Sequence, residues 1–353
     1  MFKRILAAAF AALMIFAVGC DKNVVYDNLS DYESQTPTAE DQVELNVNPL
    51  TGVAEFSDST KAKQRPVAIM VNNAVLGKSD LSVQKVQAGL GDADIIYESL
   101  AEGSLTRLMA VYQDLSGVDK IGTVRSARYH FVDFAMGHNA VYIHAGFNTY
   151  CERHLKDVDD IDFLKSNASS YRLSNGFKAG SEHTLYTIAS ELNSRLSKEF
   201  NMTAKSSATW VNFADENKKI ALTDGSAKNV SVKFSSLATT KFTYDEKSGL
   251  YTRYLGSQPQ TDYYTKETTQ VKNIFVILTN TSYFDDNYTT RVYLESGKGY
   301  YITNGTMQEI KWSKGASGNK FKFTDANGAE LEVSAGSSWV CVANKNTCKT
   351  TIE

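Results

Sequence analysis

Proline, cysteine and histidine are scarce in this chain of 353 residues, which has four prolines, four cysteines and five histidines. No spacing of cysteine and histidine matches a zinc site, so we expect no metal. The sequence has no Walker loop, no Gly-x-Ser-x-Gly elbow and no His-Glu-x-x-His helix, which argues against the enzyme classes built on them. It carries no cofactor-binding motif either, and we expect no cofactor.

Positive charge is not concentrated anywhere in the chain. The formal net charge is −3, and no tract of lysine and arginine is present. Because binding to nucleic acid depends on neutralising phosphates with clustered basic side chains, we do not expect a nucleic-acid partner. Hydrophobic residues make up 42% of the chain, which is enough to bury a large core.

Long apolar runs are absent after residue 20, but the first 20 residues have the pattern of a lipoprotein signal peptide. Lys3 and Arg4 precede an uncharged apolar run, residues 5–16, which is too short to span a membrane. Small residues then lead to Cys20. We predict that Cys20 is lipidated, and that this lipid anchors the mature chain to the outer face of the cytoplasmic membrane. The alternative is a plain secretory signal with an incidental cysteine.

The rest of the chain divides by texture. Residues 21–47 are polar and are predicted to form a flexible tether, with Pro49-Leu-Thr-Gly52 docking onto the folded part. The remainder is long for one ordinary domain, and its pattern changes near residue 205. We predict an α+β protein in which a mixed α/β domain, residues 48–205, precedes a mostly antiparallel all-β domain, residues 206–353. We expect the two domains to fold separately.

Strands and helices alternate in the first predicted domain. An unbroken apolar run at residues 67–71 is typical of a strand buried on both faces. Residues 95–100 and 105–112 are predicted to form a hairpin with the four-residue loop 101–104, and residues 141–144 a further strand. Helices are predicted at residues 127–136 and 184–200 from their apolar periodicity.

Short strands separated by Gly, Asn, Asp and Ser dominate the second predicted domain, as in a β-sandwich or an open barrel. Near its end, Cys341 and Cys348 flank six residues. If Asn344-Lys345 forms a two-residue turn, the two cysteines face each other and a disulfide is possible outside the cytoplasm. A slip of one position would separate them. The predicted strands are residues 230–234, 241–244, 251–255, 271–278, 290–294, 300–303, 309–312, 320–323, 330–333 and 339–342.

Several of these segments resemble the YerB-like lipoprotein family, a two-domain family. The motifs that carry the resemblance are Arg65-Pro-Val-Ala-Ile-Met-Val-Asn-Asn73, Ala93-Asp-Ile-Ile-Tyr-Glu98, Ala101-Glu-Gly103, Thr106-Arg107, Ile121-Gly-Thr-Val-Arg125-Ser-Ala-Arg128, Gly249-Leu-Tyr-Thr-Arg253, Trp312 and Gly336-Ser-Ser-Trp339. Two segments depart from the family pattern. Pro259-Gln-Thr-Asp262 replaces a Pro-His-x-Asp, and Glu182-His-Thr184 replaces a Pro-His-Asn. The resemblance implies a fold and an envelope location, and it implies no reaction.

An arginine cluster is the strongest candidate site. Arg125 and Arg128 flank the start of the helix predicted at residue 127, for which Ser126 is a good N-cap. A helix N-terminus with two arginines suits a phosphate or carboxylate group. Arg107, from the neighbouring hairpin, would complete the site. We predict an anion bound by Arg107, Arg125, Ser126 and Arg128. The alternative is that the arginines pair with carboxylates of the same domain.

A polar cleft is predicted beside the arginines. The loop 101–104 would place Glu98 directly opposite Arg107, as a structural ion pair or as one wall of the cleft. The candidates for the cleft are Asn72, Asn73, Glu98, Glu102, His144 and His183. Each histidine has an ordinary structural alternative as a hydrogen-bonded core residue, and Asn72-Asn73 is also a good turn former.

We therefore expect a non-catalytic, membrane-anchored lipoprotein that acts as a binding or accessory factor in assembly of the cell envelope. It would recognise an anionic ligand or a protein partner of the wall or envelope. The alternative is an enzyme, a hydrolase or transferase, that acts on a phosphorylated or carboxylated envelope substrate. No catalytic residue can be assigned from the sequence. An acidic pair beside the arginines would favour the enzyme, and an exposed apolar surface the binding protein.

Overall fold

A computed structural model describes residues 44–75, 82–178, 180–204 and 208–353. The predicted signal peptide, Cys20 and the tether up to residue 43 lie outside these ranges. The first part contains β1 (Asn46–Val47), β2 (Ala54–Phe56), α1 (Ser59–Ala62), β3 (Val67–Asn72), β4 (Ile95–Leu100), β5 (Thr106–Tyr112), β6 (Lys120–Gly122), α2 (Tyr129–Gly137), β7 (Val141–His144), α3 (Thr149–Leu155), β8 (Asp160–Asp162), β9 (Ser170–Arg172), β10 (Leu185–Ile188) and α4 (Ala189–Glu199). Short 3-10 turns cover Val83–Val86 and Leu90–Asp92.

The second part contains strands only, among the residues described. This agrees with the predicted α+β class and its β-rich C-terminal half. The strands are β11 (Asn212–Phe213), β12 (Gly225–Ser226), β13 (Asn229–Lys233), β14 (Thr239–Asp245), β15 (Leu250–Leu255), β16 (Gln258–Pro259), β17 (Gln270–Val271), β18 (Asn273–Thr279), β19 (Thr281–Tyr283), β20 (Thr290–Val292), β21 (Ser296–Thr303), β22 (Thr306–Ser313), β23 (Lys322–Thr324), β24 (Glu332–Val333), β25 (Ser338–Asn344) and β26 (Lys349–Ile352). All ten strands predicted in this half are found, most with shifted ends.

One mixed sheet runs through both halves of the chain. Its 11 strands follow the order β12-β22-β21-β18-β25-β4-β5-β3-β7-β8, with β23 paired to β22. The join is the parallel pair of β25 with β4, in which Ser338 lies opposite Ile95 and Val342 opposite Ser99. The change of texture near residue 205 therefore does not separate two sheets, because strands from both sides of it pair directly.

The central sheet is buried on both faces. All six residues of β3 are buried, as predicted for residues 67–71, because β3 pairs with β5 on one side and with β7 on the other. Alternate side chains of β3 enter two different cores: Val67 and Val71 pack in one, Ala68 and Met70 in the other. We call these sides the sheet face and the helix face.

The sheet face is covered by a second sheet of six strands, β16-β15-β14-β13-β26 with β17, and by α4. The ring of Phe242 on β14 packs edge-on against Trp339 on β25, with ring centroids 5.4 Å apart. The helix face is covered by α2 and by aromatic residues of the second half. There Phe134 stacks on Tyr97 at 4.7 Å. The two packed sheets resemble the predicted sandwich, although the larger one includes strands of both halves.

Both helix predictions need correction at their N-terminal ends. The helix predicted from residue 127 begins at Tyr129, and Arg128 is its N-cap residue without a side-chain capping bond, so Ser126 is not the cap. The chain up to Ala127 stays extended because Arg125 N–H donates to the Met70 carbonyl and Ala127 N–H to the Gly146 carbonyl. Of the helix predicted from residue 184, the first turn is instead strand β10, which pairs with β6 and β9.

The hairpin between β4 and β5 differs from the prediction by one residue. Ser99 lies opposite Arg107, and Glu98 lies opposite Leu108. Ala101 N–H donates to the Leu105 carbonyl, so the turn contains three residues rather than four. A shift of one position moves a side chain to the other face of a strand. Glu98 and Arg107 are therefore on opposite faces of the sheet, and the predicted pair does not form.

The folded part begins inside the predicted tether. Strand β1, at Asn46–Val47, pairs with β2, so residues 46 and 47 belong to the folded part and not to the predicted tether. The segment after it docks as predicted: Leu50 is buried, and its carbonyl accepts a hydrogen bond of 2.9 Å from Trp210 Nε1. In the described part of the chain, no helix has the length and apolar character needed to cross a membrane.

Candidate functional site

Two arginines and one glutamate meet on the helix face of the central sheet. Arg107 comes from β5, Glu102 from the hairpin turn and Arg128 from the start of α2. Arg107 donates from Nη2 to Glu102 Oε1, and Arg128 donates from Nε to Glu102 Oε2 at 2.7 Å. Arg107 also donates to the Ser126 carbonyl at 2.5 Å. We call Glu102, Arg107 and Arg128 the arginine cluster.

The arginine cluster carries more positive than negative charge in a nearly closed environment. The side chains of Arg107 and Arg128 are 5% and 10% exposed, and that of Glu102 is 16% exposed. Burial, followed by the charge of Arg128, lowers the pKa of Arg107 to about 9, while Glu102 acts to raise it. Glu102 is the only carboxylate that bonds the two guanidinium groups within the described residues. One guanidinium charge is therefore left without a bonded carboxylate.

His130 lies close to this excess charge and is fully buried. Neither ring nitrogen has a hydrogen-bond partner among the described residues. Burial, with further contributions from Arg128 and Arg107, lowers the pKa of His130 to about 3. The imidazole is therefore neutral at pH 7, and it can donate from one nitrogen while it accepts at the other.

Arg125 points away from the arginine cluster. Its Nη2 donates to Glu182 Oε1 at 2.9 Å, and Glu182 lies 3.7 Å from His183 Nε2. The other ring nitrogen of His183, Nδ1, is 3.0 Å from Asn72 Nδ2. Burial, and to a smaller extent Arg125, lowers the pKa of His183 against the opposing effect of Glu182. These residues form a polar chain beside the cluster. Of the three predicted arginines, Arg107 and Arg128 therefore share Glu102, whereas Arg125 pairs with Glu182.

Glu98 and Asn73 belong to a different network, on the sheet face. Glu98 accepts hydrogen bonds from Asn73 Nδ2 at 2.9 Å, Thr106 Oγ1 at 3.0 Å and Trp339 Nε1 at 3.1 Å. Arg253 donates to Asn73 Oδ1 at 3.1 Å and lies over the Trp339 ring, 4.5 Å from its centroid. The network is fully buried, and it joins the two halves of the chain. It is therefore not part of an open cleft.

His144 also takes a structural position. Its ring is fully buried, with Nε2 at 2.9 Å from Asp160 Oδ2 and Nδ1 at 2.9 Å from the Gly146 carbonyl. The six residues predicted to line one cleft are thus divided among four places: the arginine cluster, the polar chain, the sheet-face network and this pair. Among the described residues, no group of three or more His, Cys, Asp and Glu side chains is arranged to hold a metal ion.

The predicted disulfide is absent from the structure, because Cys341 and Cys348 are free thiols. Cys341 lies on β25, between β18 and β4, and β26 pairs with β13 instead of returning beside β25. The two-residue turn that would bring the cysteines face to face does not form. Burial raises the pKa of both thiols.

An exposed aromatic hairpin, which the sequence analysis missed, lies next to the arginine cluster. It consists of β19, β20 and the turn between them, residues 281–292, and Thr289 forms a backbone bridge with Glu102. Tyr283 and Tyr288 are 55% and 56% exposed. Phe284 stacks on Tyr150 of α3, with centroids 4.1 Å apart. The run Tyr283-Phe-Asp-Asp-Asn-Tyr288 is a signal for it, because a polar turn between aromatic residues does not have the pattern of a buried strand.

The paired residues Glu102 and Glu182 were recognised only in part. The sequence predicts Glu102 only as part of the cleft, and it shows Glu182 only as a departure from a family motif. The hairpin sequence contained the clue to Glu102, because a left-handed Gly103 and Ser104 favour a three-residue turn with a bulge. That turn directs Glu102 toward the arginines.

Comparisons with known proteins agree with this architecture. Models described as the N-terminal and C-terminal domains of a protein of unknown function, DUF3048, match residues 50–203 and 230–340. A Bacillus subtilis (strain 168) protein named "Putative lipoprotein YerB" is 28% identical over 311 residues, which are 83% of this chain and 84% of that protein. The crystal structure of YerB from Bacillus subtilis covers 87% of this chain and 99% of its own, with a TM-score of 0.72 and 24% identity.

The two family models follow each other in the order of the two predicted halves, and together they include every motif that suggested the resemblance. The solved structure shows the same fold over nearly its whole length. This chain belongs to the DUF3048 family.

Proposed function

We propose that this protein is an envelope lipoprotein that binds an anionic ligand at the arginine cluster and has an accessory rather than a catalytic role. The observation that carries the proposal is the sharing of Glu102 by Arg107 and Arg128. A buried guanidinium is stable only when its charge is offset, and one carboxylate offsets one charge. A phosphate or carboxylate group at the open edge of the cluster, formed by Glu102 and Arg128, would offset the second.

His130 supports the same location. Its two ring nitrogens have no partner among the described residues, and its neutral imidazole adds no further positive charge. Both nitrogens are buried, so a ligand oxygen can accept a hydrogen bond from one of them only if the start of α2 moves. A buried polar group without a partner costs about 1–3 kcal/mol, so a ligand that supplies one gains affinity.

The aromatic hairpin favours a binding protein over an enzyme. Exposed tyrosines beside arginine are typical of recognition surfaces, because large rigid rings lose little entropy on binding. Arg291 lies over the rings of Phe284 and Tyr293, at 5.6 and 5.3 Å, which extends the charged and aromatic character of this surface. An enzyme that protonates and deprotonates its substrate would need a free acid and base. Here the carboxylate next to the arginines is already bonded to both of them.

Membrane anchoring is the second part of the proposal. The cysteine at the end of the predicted signal peptide and the relative named as a lipoprotein both support it. The test is the intact mass of the protein purified from membranes, which should show a diacylglycerol-modified Cys20. In the Cys20→Ala variant this modification should be absent. An unmodified Cys20 in the wild-type membrane fraction would contradict the anchoring.

Pyrophosphate is a suitable probe for the arginine cluster. In the full chain, titration should raise the melting temperature and shift the Nε–H resonance of Arg128. Each charge-assisted hydrogen bond contributes about 1.5–3 kcal/mol, so the Arg128→Gln variant should weaken binding by at least tenfold. Arg195 is a matched control, because it also bonds a carboxylate and backbone carbonyls but lies on α4. The Arg195→Gln variant should be less stable than the wild type and should still respond to pyrophosphate.

Two results would count against this function. A wild-type Arg128 resonance that does not respond to pyrophosphate would remove the anion from the cluster. If the Arg128→Gln variant also unfolds, Arg128 only holds the hairpin turn to α2.

A further inference from the structure

A cavity lies in the C-terminal half, lined by residues outside the arginine cluster. It has a volume of about 260 Å³ and is open to solvent. Residues from five segments line it: the stretch before β12, the turn between β14 and β15, the residue before β18, the turn between β21 and β22, and the stretch after β24. We call this cavity the lysine pocket.

Four lysines and two glutamates line the lysine pocket. Two of these charges are already paired: Lys218 lies 2.6 Å from Glu332, and Glu246 lies 2.6 Å from Lys228. Lys219, Lys247 and Lys272 have no ion pair within the part of the chain that the structure describes, and the one lining carboxylate left to offset them is Glu216. The lining therefore carries an excess of about two positive charges, part of which is offset by Asp245, next to Lys247 and outside the lining.

Lys272 is the most firmly positioned of the lysines. Its Nζ donates to Asn304 Oδ1 at 2.6 Å and to the Gly249 carbonyl at 3.2 Å. Asn304 is held in turn, because its Nδ2 donates to the Ile220 carbonyl at 2.8 Å. An ammonium group has three N–H donors, and these two bonds leave one for a ligand. Burial, followed by the charge of Lys219, lowers the pKa of Lys272, which an incoming anion would reverse.

Two glycines allow the backbone to close around Lys272. Gly249 has a φ of +69°, and a Cβ there would lie 3.4 Å from Lys272 Nζ, in the space beside the ammonium group. Gly336 has a φ of +135°, and a Cβ there would lie 2.6 Å from Lys272 Cβ. Side chains rarely adopt such backbone conformations, so these turns depend on glycine. The fold thus holds Lys272 in the lining of the pocket, with one N–H of its ammonium group not bonded by Asn304 or Gly249.

We infer that the lysine pocket binds a phosphate monoester. The excess of about two charges matches the charge of about −1.5 to −2 on such a group at neutral pH. Lysines act as point charges around a phosphate, whereas a carboxylate would be better matched by the planar fork of arginine. The volume lies just below the range of about 300–1,000 Å³ for pockets that hold drug-sized ligands. The pocket therefore suits the phosphate with one small substituent, such as a glycerol unit.

The phosphate monoester could be soluble or carried on a lipid headgroup, and calorimetry on the full chain in nonionic detergent separates these sources. One arm uses inorganic phosphate and glycerol phosphate. The other uses micelles of the same nonionic detergent with and without phosphatidic acid, and binding is measured by the same calorimetry. Binding in the first arm indicates a soluble ligand. Binding in the second arm alone indicates a lipid headgroup.

Three single variants decide whether the phosphate monoester binds in the lysine pocket. Lys272→Met keeps the length of the side chain and removes its charge, and it should weaken binding by about tenfold. Lys219→Gln should weaken binding by a similar factor. Because Lys219 is exposed, its replacement should not unfold the protein, so unfolding cannot account for the weaker binding. Lys233→Gln removes an exposed charge of β13 and should change nothing. The Arg128→Gln variant should also bind normally, so this test is independent of the proposed function.

The inference fails if no phosphate monoester binds in either arm. It fails equally if Lys219→Gln and Lys272→Met bind as the wild type does, or if Lys233→Gln weakens binding as much as they do. The last result would mean that phosphate responds only to the net charge of the chain.

Discussion

At the scale of single residues, two buried histidines make the stability of this protein depend on pH. His130 and His138 are both buried in the folded chain, and burial lowers the pKa of each to about 3. A free histidine has a pKa of about 6.5. Between these values the unfolded chain binds a proton on each histidine that the folded chain does not. Stability is therefore complete above pH 6.5 and is lost as the pH falls toward 3.

The His130→Phe variant isolates one of these contributions. Phenylalanine fits the aromatic surroundings of His130, whose ring lies 4.5 Å from that of Phe131. We expect the free energy of unfolding to fall less steeply with decreasing pH than in the wild type, by about 1.4 kcal/mol per pH unit between pH 6.5 and 4.5. Urea denaturation at a series of pH values measures this. Between pH 7 and 8 the two proteins should have parallel profiles, which serves as the control, and identical slopes below pH 6.5 would show that folded His130 is charged.

The residue types of the candidate site could be predicted from the sequence, but their partners could not. Arg107 and Arg128 do meet, as expected, since a hairpin strand and a helix start are neighbours. The identity of their counter-ion depended on the turn, which places Glu102 rather than Glu98 on their side of the sheet. The same residues can form a three-residue or a four-residue turn, and the two turns place a given strand side chain on opposite faces of the sheet. Composition alone therefore does not distinguish them.

At the scale of elements, apolar patterning predicted strands better than it predicted helix ends. Runs such as β3 and β18 are buried on both faces, which requires apolar side chains at every position. The segment from Leu185 to Ile188 has apolar residues three apart and fits a helix equally well. It forms a strand because β6 and β9 are on either side to pair with it, and such tertiary partners are not visible in local sequence.

Strand β21 depends on a glycine at a position where strands normally favour larger residues. A Cβ at Gly299 would lie 2.1 Å from the Val276 carbonyl oxygen of the neighbouring strand β18. We expect Gly299→Ala to lower the free energy of unfolding by about 1–3 kcal/mol, because the backbone of one strand must move. Thermal or urea denaturation measures the loss. Gly318→Ala is the matched control, since nothing lies within 4 Å of its Cβ position, and equal stability of the two variants would contradict the clash.

At the scale of the whole molecule, the two halves form one structural unit. Residues 45–353 cluster as a single compact body, although the family models and the sequence texture both divide the chain near residue 205. The sequence predicted the order of the halves from local patterns. It could not predict their union, because the pairing of β25 with β4 joins residues about 240 positions apart and leaves no local signature.

The buried network on the sheet face strengthens this union. Arg253 from the second half is held by Asn73 from the first, and Asn73 also bonds Glu98. Trp339 bonds Glu98 as well and lies under the Arg253 guanidinium. Without the second half, Glu98 would be left with fewer partners on an open sheet face. Without the first, Arg253 would lose Asn73. Each half on its own would therefore contain a buried charged group that lacks some of its hydrogen-bond partners.

We therefore expect that neither half folds alone. A fragment covering residues 44–204 would expose strand β4, whose first five residues are buried in the full protein, as an unpaired apolar edge that promotes self-association. The fragments 44–204 and 208–353 should each sediment as aggregates with poorly dispersed amide spectra, and should form a 1:1 complex when refolded together. A full chain cleaved at a protease site inserted near residue 205 is the control, and it should stay associated under native conditions. Two monomeric fragments with dispersed spectra would show instead that the sheet joins domains that are stable on their own.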